Sequence, residues 1–313
     1  MSAAASKRPL KIGVQLPEVE YVATWPDIAR MARRAEALGY DSLWVGDHLL
    51  YRNPGEPPKG PWEAWAMMSA LAAITERVEI GPLVACTSFH NPAMIAKKAA
   101  TLEEISGGRL ILGLGAGWNK PEYVAYGYPY DHRVSRFEEA FTIIRRMLRE
   151  GRSDFHGQHY DTTDCVLVPR GPRPEGPPFM IGSQGARMLE ITLPSIQSWN
   201  AWYAWFGNRP EGLQPILDNL DAACRAVGRD PATLERTCAL LVAMPGAQGR
   251  PAGDPTDRGA QPLRGTTEEL AETMREFARL GIGHIQLVLD PNTVEGIEAF
   301  APVLAALDEG GRG

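Results

Sequence analysis

Asp47 and His48 stand side by side at the end of the apolar run Ser42–Val45, in the stretch Trp44-Val45-Gly46-Asp47-His48. A neighbouring carboxylate and imidazole can grip a ring, orient a substrate or exchange a proton near neutral pH. The same pair also serves as a turn or a helix cap. A second candidate is Gly113-Leu114-Gly115-Ala116-Gly117-Trp118, with Glu122 shortly after. Glycines there let backbone approach a flat ligand, although their spacing is not the dinucleotide fingerprint and tight turns use glycine too. A third is Ile181-Gly182-Ser183-Gln184-Gly185-Ala186-Arg187, where an apolar run passes at once into a helix. Free amides, a hydroxyl and an arginine there make a phosphate cradle or, equally, a plain strand–helix turn. Trp199, Trp202, Tyr203, Trp205 and Phe206 crowd one further segment, as an aromatic wall around an organic substrate, as core, or as a subunit contact. Trp118, Glu122, Trp199 and Trp202 are accordingly the candidate substrate-pocket residues. No nucleophile elbow, Walker loop or zinc-ligand spacing is present, so hydrolase and metal chemistry have little support.

Short apolar runs alternating with longer amphipathic segments position these groups. Strands are expected at 10–16, 42–45, 78–84, 110–114, 179–181, 196–201, 238–244 and 285–289. Thr24, with Pro26 in the first turn, caps a helix whose apolar positions Ile28, Met31, Ala35 and Leu38 recur at helical spacing. A second helix runs through Trp65, Met68 and Leu71. Asn91-Pro92 opens a third, with Ile95, Ala99, Leu102 and Ile105 on one face. Phe137, Phe141, Ile144 and Leu148 mark the next, and others follow from Ala186, over about 213–227, after the capping box Thr266-x-x-Glu269, and from Val294. Residues 153–168 read as an inserted hairpin, and 246–264, rich in Gly, Pro, Arg and Asp, as a mobile loop. Eight strand–helix units without a linker favour one α/β domain over 8–310, a closed (β/α)8 TIM barrel, with a doubly wound sheet as the alternative. In a barrel, the candidate groups share the face where strands end and loops begin.

With 313 residues, 44% of them hydrophobic, the chain can bury a large core. Its net charge of −6 argues against nucleic acid as a partner. No apolar run is long enough for a membrane-spanning helix, and Met1–Pro9 lacks the apolar core of a secretory signal. Cys86, Cys165, Cys224 and Cys238 are scattered, as expected of reduced thiols in a cytoplasmic protein. Lysine occurs only at positions 7, 11, 59, 97, 98 and 120, and arginine supplies the other cations.

Several stretches together resemble the luciferase-like monooxygenase superfamily of flavin and deazaflavin barrels, most closely its branch dependent on coenzyme F420. They are Asp41-Ser42-Leu43-Trp44-Val45 with Asp47-His48, Asn91-Pro92-Ala93, Ser106-Gly107-Gly108-Arg109, Gly113–Trp118, Arg136-Phe137-Glu138-Glu139, Gly185-Ala186-Arg187-Met188-Leu189, Trp199-Asn200, and His284-Ile285-Gln286-Leu287 with Asp290-Pro291. The Ser-Gly-Gly-Arg run and the glycine-rich segment after it are the specific ones. The resemblance implies a bacterial-luciferase-like barrel with its cofactor on the C-terminal face. Relatives often carry a non-prolyl cis peptide, here in the stretch 81–85, which would set Leu83 and Val84 against the tricyclic ring. By the same implication Asp47, Gly115 and Gly117 approach the ring, Gly182, Ser183, Gln184, Gly185 and Arg187 hold the phosphate, and His48 supplies or removes the proton that accompanies hydride transfer. The implied activity is hydride transfer between F420 and a small organic substrate. The alternatives are an FMN-dependent monooxygenase fed by a partner reductase, and a non-catalytic cofactor carrier. Members are commonly homodimers. Two positions depart from the pattern: Gln197 replaces an acidic residue, with an implied change of local charge, and Pro194 interrupts a stretch that relatives make helical.

Overall fold

The computed structural model describes residues 8–53, 55–250 and 259–310. Its main sheet has the strand order β3-β2-β1-β11-β10-β9-β8-β5-β4, all neighbours parallel. The strands are β1 (Lys11–Gln15), β2 (Ser42–Val45), β3 (Glu79–Pro82), β4 (Ala85–Cys86), β5 (Leu112–Gly115), β8 (Phe179–Ile181), β9 (Ser198–Ala201), β10 (Glu235–Ala243) and β11 (Ile282–Asp290). β3 falls within the expected strand at 78–84, and β4 continues the same stave beyond it. The first piece pairs with β2 and the second with β5, and the interruption between them is Leu83-Val84, whose peptide bond is cis. Ile80 bridges to Leu110, with the Ile111 N–H donating to the Ile80 carbonyl at 2.9 Å, and this closes the ring. The fold is thus an eight-staved (β/α)8 barrel, and the doubly wound alternative falls with the closure.

The helices are α1 (Trp25–Ala37), α2 (Ala64–Ile74), α3 (Pro92–Ser106), α4 (Lys120–Tyr126), α5 (Arg133–Glu150), α6 (Ala186–Thr192), α7 (Pro210–Ala226), α8 (Thr267–Arg279) and α9 (Val294–Gly310). Their starts follow local chemistry. Asp27 accepts from the Thr24 N–H and O–H, Asn91 Oδ1 accepts from the Ala93 and Met94 amides, and Thr266 and Glu269 form the expected capping box. Ile28, Met31, Ala32 and Ala35 bury one face of α1 in the core. Ile105, expected on the buried face of α3, is instead 43% exposed. The inner position belongs to Glu103, which is buried because Arg173 and the Leu110 N–H both donate to its carboxylate. α6 ends before Pro194, which cannot continue a helix. The inserted hairpin pairs β6 (Arg152–His156) with β7 (Asp161–Val166), antiparallel. α4 was not expected, since its seven residues are too few for a periodic pattern.

The segment read as a mobile loop makes backbone contacts to the ends of β10 and β11. Leu263 bridges to Val242, and the Asp290 carboxylate accepts from the Gln248 and Gly249 amides. Residues 251–258 lie outside the described residues. No helix of the described residues is long and apolar enough to cross a membrane.

Candidate active site

A cavity of about 370 Å³ opens at the C-terminal end of the barrel. Each candidate group reaches it because a strand ends there: Gln15 and Glu18 after β1, Asp47 and His48 after β2, Leu83 and Val84 between β3 and β4, Gly115 to Trp118 after β5, Gly182 to Gln184 after β8, and Trp202 after β9. α4 adds Glu122, which is 1% exposed.

Glu122 organises His48. Its Oε1 lies 2.9 Å from His48 Nδ1, and its Oε2 accepts from the amides of Leu49 at 2.9 Å and Leu50 at 3.3 Å. An ionised carboxylate only accepts, so Nδ1 carries a proton and Nε2 is the nitrogen left for exchange. Nε2 lies 3.9 Å from Glu18 Oε1. Burial works to lower the His48 pKa but is outweighed by the Glu122 hydrogen bond and the charges of Glu18, Glu122 and Asp47, so the net shift is upward. Asp47 has a different task. Its Oδ2 accepts from the Cys86 N–H at 2.8 Å and lies 3.3 Å from His90 Nε2, while Lys98 Nζ lies 3.3 Å from His90 Nδ1. The Trp65 indole N–H donates to the same His90 Nε2 at 3.2 Å. Asp47 thereby ties the end of β2 to β4. Cys86 also lines the cavity, but burial pushes its thiol up to about 12, too high for a nucleophile at neutral pH.

Glu18 is the centre of a second cluster. Gln15 Nε2 donates to its Oε2 at 3.0 Å and the Tyr51 hydroxyl to its Oε1 at 2.8 Å. Arg250, with a side chain 4% exposed, reaches in from the segment after β10. Its Nη2 lies 3.3 Å from Glu18 Oε2, its Nε 2.7 Å from Glu20 Oε1 and its Nη1 3.1 Å from the Tyr203 hydroxyl.

The expected residues divide. Asp47, His48, Leu83, Val84, Gly115, Gly117, Trp118, Glu122, Gly182, Ser183, Gln184 and Trp202 line one cavity. Three do not. Trp199 is 1% exposed and its indole N–H donates to the Ser183 carbonyl at 2.7 Å, so it holds the rim from the core between the strands and the helices. Gly185 caps α6 outside the lining, and Arg187 turns outward to Glu138 at 2.8 Å because that exposed carboxylate lies within its reach. The Gln197 substitution also has no bearing on cavity charge. Gln197 precedes β9, at the opposite end of the barrel, where it accepts from the Phe179 N–H at 2.8 Å. Gln15, Glu18, Tyr51 and Arg250 were missed. For Gln15 and Glu18 the signal was available, since Gln15 ends the first strand and Glu18 follows it as Asp47 follows the second. For Arg250 there was none, because its two carboxylate partners lie 230 and 232 residues away.

The chain matches the family model described as Luciferase-like monooxygenase over residues 10–246. It is 38% identical over 153 residues to the F420-dependent glucose-6-phosphate dehydrogenase of Amycolatopsis mediterranei (strain U-32), covering 47% of this chain and 45% of that protein, less than half its length. It is 29% identical over 310 residues to pyrimidine monooxygenase RutA of Stutzerimonas stutzeri (strain A1501), covering 93% of this chain and 82% of the relative. Among solved structures it superposes on an F420-dependent secondary alcohol dehydrogenase in complex with an F420-acetone adduct, with a TM-score of 0.79 and 22% identity over 95% of this chain and 99% of the other, a likeness of fold. The chain belongs to the luciferase-like monooxygenase family.

Proposed function

We propose that this member of the luciferase-like monooxygenase family uses coenzyme F420 to reduce a small organic substrate, with His48 delivering the proton. The observation that carries the reading is His48 itself, held between Glu122 on Nδ1 and Glu18 facing Nε2 at the mouth of a barrel cavity. A flat ring with polar edges fits the residues present. Leu83 and Val84 offer an apolar platform between β3 and β4, and a Cβ at Gly115 would come within 2.8 Å of Val84 Cγ2. Gln15 Oε1 is buried without a hydrogen-bond partner and can take an N–H or O–H from a bound molecule. Leu83, Val84, Gly115 and Gly117 would hold the ring, and Gly182, Ser183 and Gln184 its chain. The cofactor when bound supplies the hydride.

The protein supplies orientation, shielding from water and the proton. The upward shift favours the protonated form of His48, which suits reduction, where the substrate must gain a proton, better than alcohol oxidation, where His48 would have to accept one. Glu122 is a positioning residue that fixes the tautomer. Two relatives support the deazaflavin: the glucose-6-phosphate dehydrogenase, and the 5,10-methylenetetrahydromethanopterin reductase of Archaeoglobus fulgidus (strain ATCC 49558 / DSM 4304 / JCM 9628 / NBRC 100126 / VC-16), 28% identical over 223 residues.

The length of the match to a pyrimidine monooxygenase favours a second reading, an FMN-dependent enzyme served by a partner flavin reductase. Titration with oxidised F420 and, separately, with FMN, followed by dialysis, tests the choice. Retention of the deazaflavin alone is expected. Retention of FMN alone would transfer the reading to oxygen-dependent chemistry.

A further inference from the structure

The cluster around Glu18 does more than set the charge beside His48 Nε2, since it is built into the wall of the cavity. Glu18 needs a glycine beside it, since a Cβ at Gly46 would lie 2.4 Å from Glu18 Oε1. Arg250 is brought to it by Asp290, which accepts from the two amides just before the arginine, at 3.2 Å from Gln248 and 2.8 Å from Gly249. Among the described residues, three carboxylates line the cavity, Glu18, Asp47 and Glu122, against His48 and Arg250, so this lining is net negative whether or not His48 is protonated. Arg250 does not offset this for a ligand, because each of its three guanidinium nitrogens already has a partner in Glu18, Glu20 or Tyr203. A phosphate or carboxylate entering here would have to displace a buried carboxylate from that arginine and would then sit beside the displaced charge.

We propose that Glu18 and Arg250 set the charge class of the substrate: the site takes an uncharged or cationic small molecule and excludes phosphorylated and carboxylated ones. The inference rests on the reading of this cavity as a substrate pocket and names its specificity. Neutral groups find acceptors in Glu18 and in Gln15 Oε1, and a cation finds the surplus carboxylate. Arg250 works as a cross-link that keeps two acidic residues, Glu18 and Glu20, buried close together.

The test is a screen of the cofactor-loaded protein, by saturation-transfer NMR, against a fragment set divided equally into neutral, cationic and anionic members of matched size. Anions are expected among the binders at no more than roughly a tenth of the frequency of neutral members. Anions binding as often as neutral members would overturn the proposal, and so would an absence of binders in every class. Glu18→Gln is expected to tighten anion binding by roughly tenfold. Should that variant fail to fold, the screen of the parent protein still decides. The screen runs on whichever form, deazaflavin or FMN, survives dialysis, so an error in the choice of cofactor is seen in the dialysis and an error about charge is seen in the screen.

Discussion

His48 has two nitrogens in different surroundings, and its chemistry follows from that asymmetry. Nδ1 is committed to Glu122, so Nε2 exchanges the proton, and the surrounding carboxylates raise the pH at which it does so. In the reductive direction, kcat/KM should be flat at low pH and fall as pH rises through a pKa above the ordinary histidine value of 6.5. Glu122→Gln should move that alkaline limb to lower pH, because the flanking charge is gone while the Nδ1 hydrogen bond can still form. His48→Asn should cost roughly 10²–10⁴-fold in kcat and abolish the limb. Stopped-flow oxidation of the reduced cofactor across pH reads both, and an unchanged profile in His48→Asn would remove this residue from proton transfer. Asp47-His48 was legible as a chemical pair, but the division of labour was not. Asp47 braces β4 through the Cys86 amide, a contact made across 39 residues of chain.

The Ser106-Gly107-Gly108-Arg109 run is a structural joint between elements, remote from the cavity. Gly107 ends α3 in the left-handed conformation at φ 66°, and Gly108 follows at φ 87°. The turn aims Arg109 at the end of α2, where its nitrogens donate to the carbonyls of Ala72, Thr75, Val78 and Ser106 and to the Thr75 hydroxyl, at 2.7–3.0 Å. A planar fork meets this set and a lysine ammonium cannot, so Arg109→Lys should lower unfolding free energy by roughly 3 kcal/mol in urea with the m-value unchanged. Loss of cofactor binding without loss of stability would contradict the assignment. The glycine-rich run divides differently. A Cβ at Gly113 would lie 2.2 Å from the Pro82 carbonyl, so this glycine lets β5 approach the third stave. Gly115 faces Val84 on the cavity side, and Gly115→Ala should weaken deazaflavin binding by roughly tenfold while leaving the far-UV spectrum intact. Equal affinity in a dialysis titration would rule out the Val84 platform.

For the whole molecule, the polar groups inside the barrel make stability depend on pH. His284 is fully buried among the staves, Ser42 Oγ lies 2.7 Å from its Nε2, and the Trp44 indole donates to the same hydroxyl at 2.7 Å. Burial, helped by the charge of Lys11, brings the His284 pKa down to about 3, so the folded protein holds it neutral. The unfolded chain takes up a proton below about 6.5. This stabilisation is therefore complete above 6.5 and declines toward pH 3 by about 1.4 kcal/mol per pH unit. His48 does not mask it, because below 6.5 that residue is protonated in both states. Urea denaturation between pH 6.5 and 4.5 should show the slope, and His284→Gln should flatten it by that amount. Parallel losses in the two proteins would mean that His284 is not buried neutral.

What the sequence by itself determined is whatever depends on near neighbours along the chain. Helix starts at Thr24, Asn91 and Thr266, the αL stop at Gly107, the hairpin near 153–168 and the run of eight strand–helix units all follow from spacing, caps and glycine. The loops that carry Asp47, His48, Glu122 and Gly182 could be named because a barrel sends every strand end to one face. Tertiary structure alone decided closure through Ile80 and Leu110, the outward turn of Arg187 and the burial of Arg250 against Glu18 and Glu20. Each of these is a contact between residues distant in sequence. Its energy depends on packing distance and desolvation, which take values only once the ring has closed.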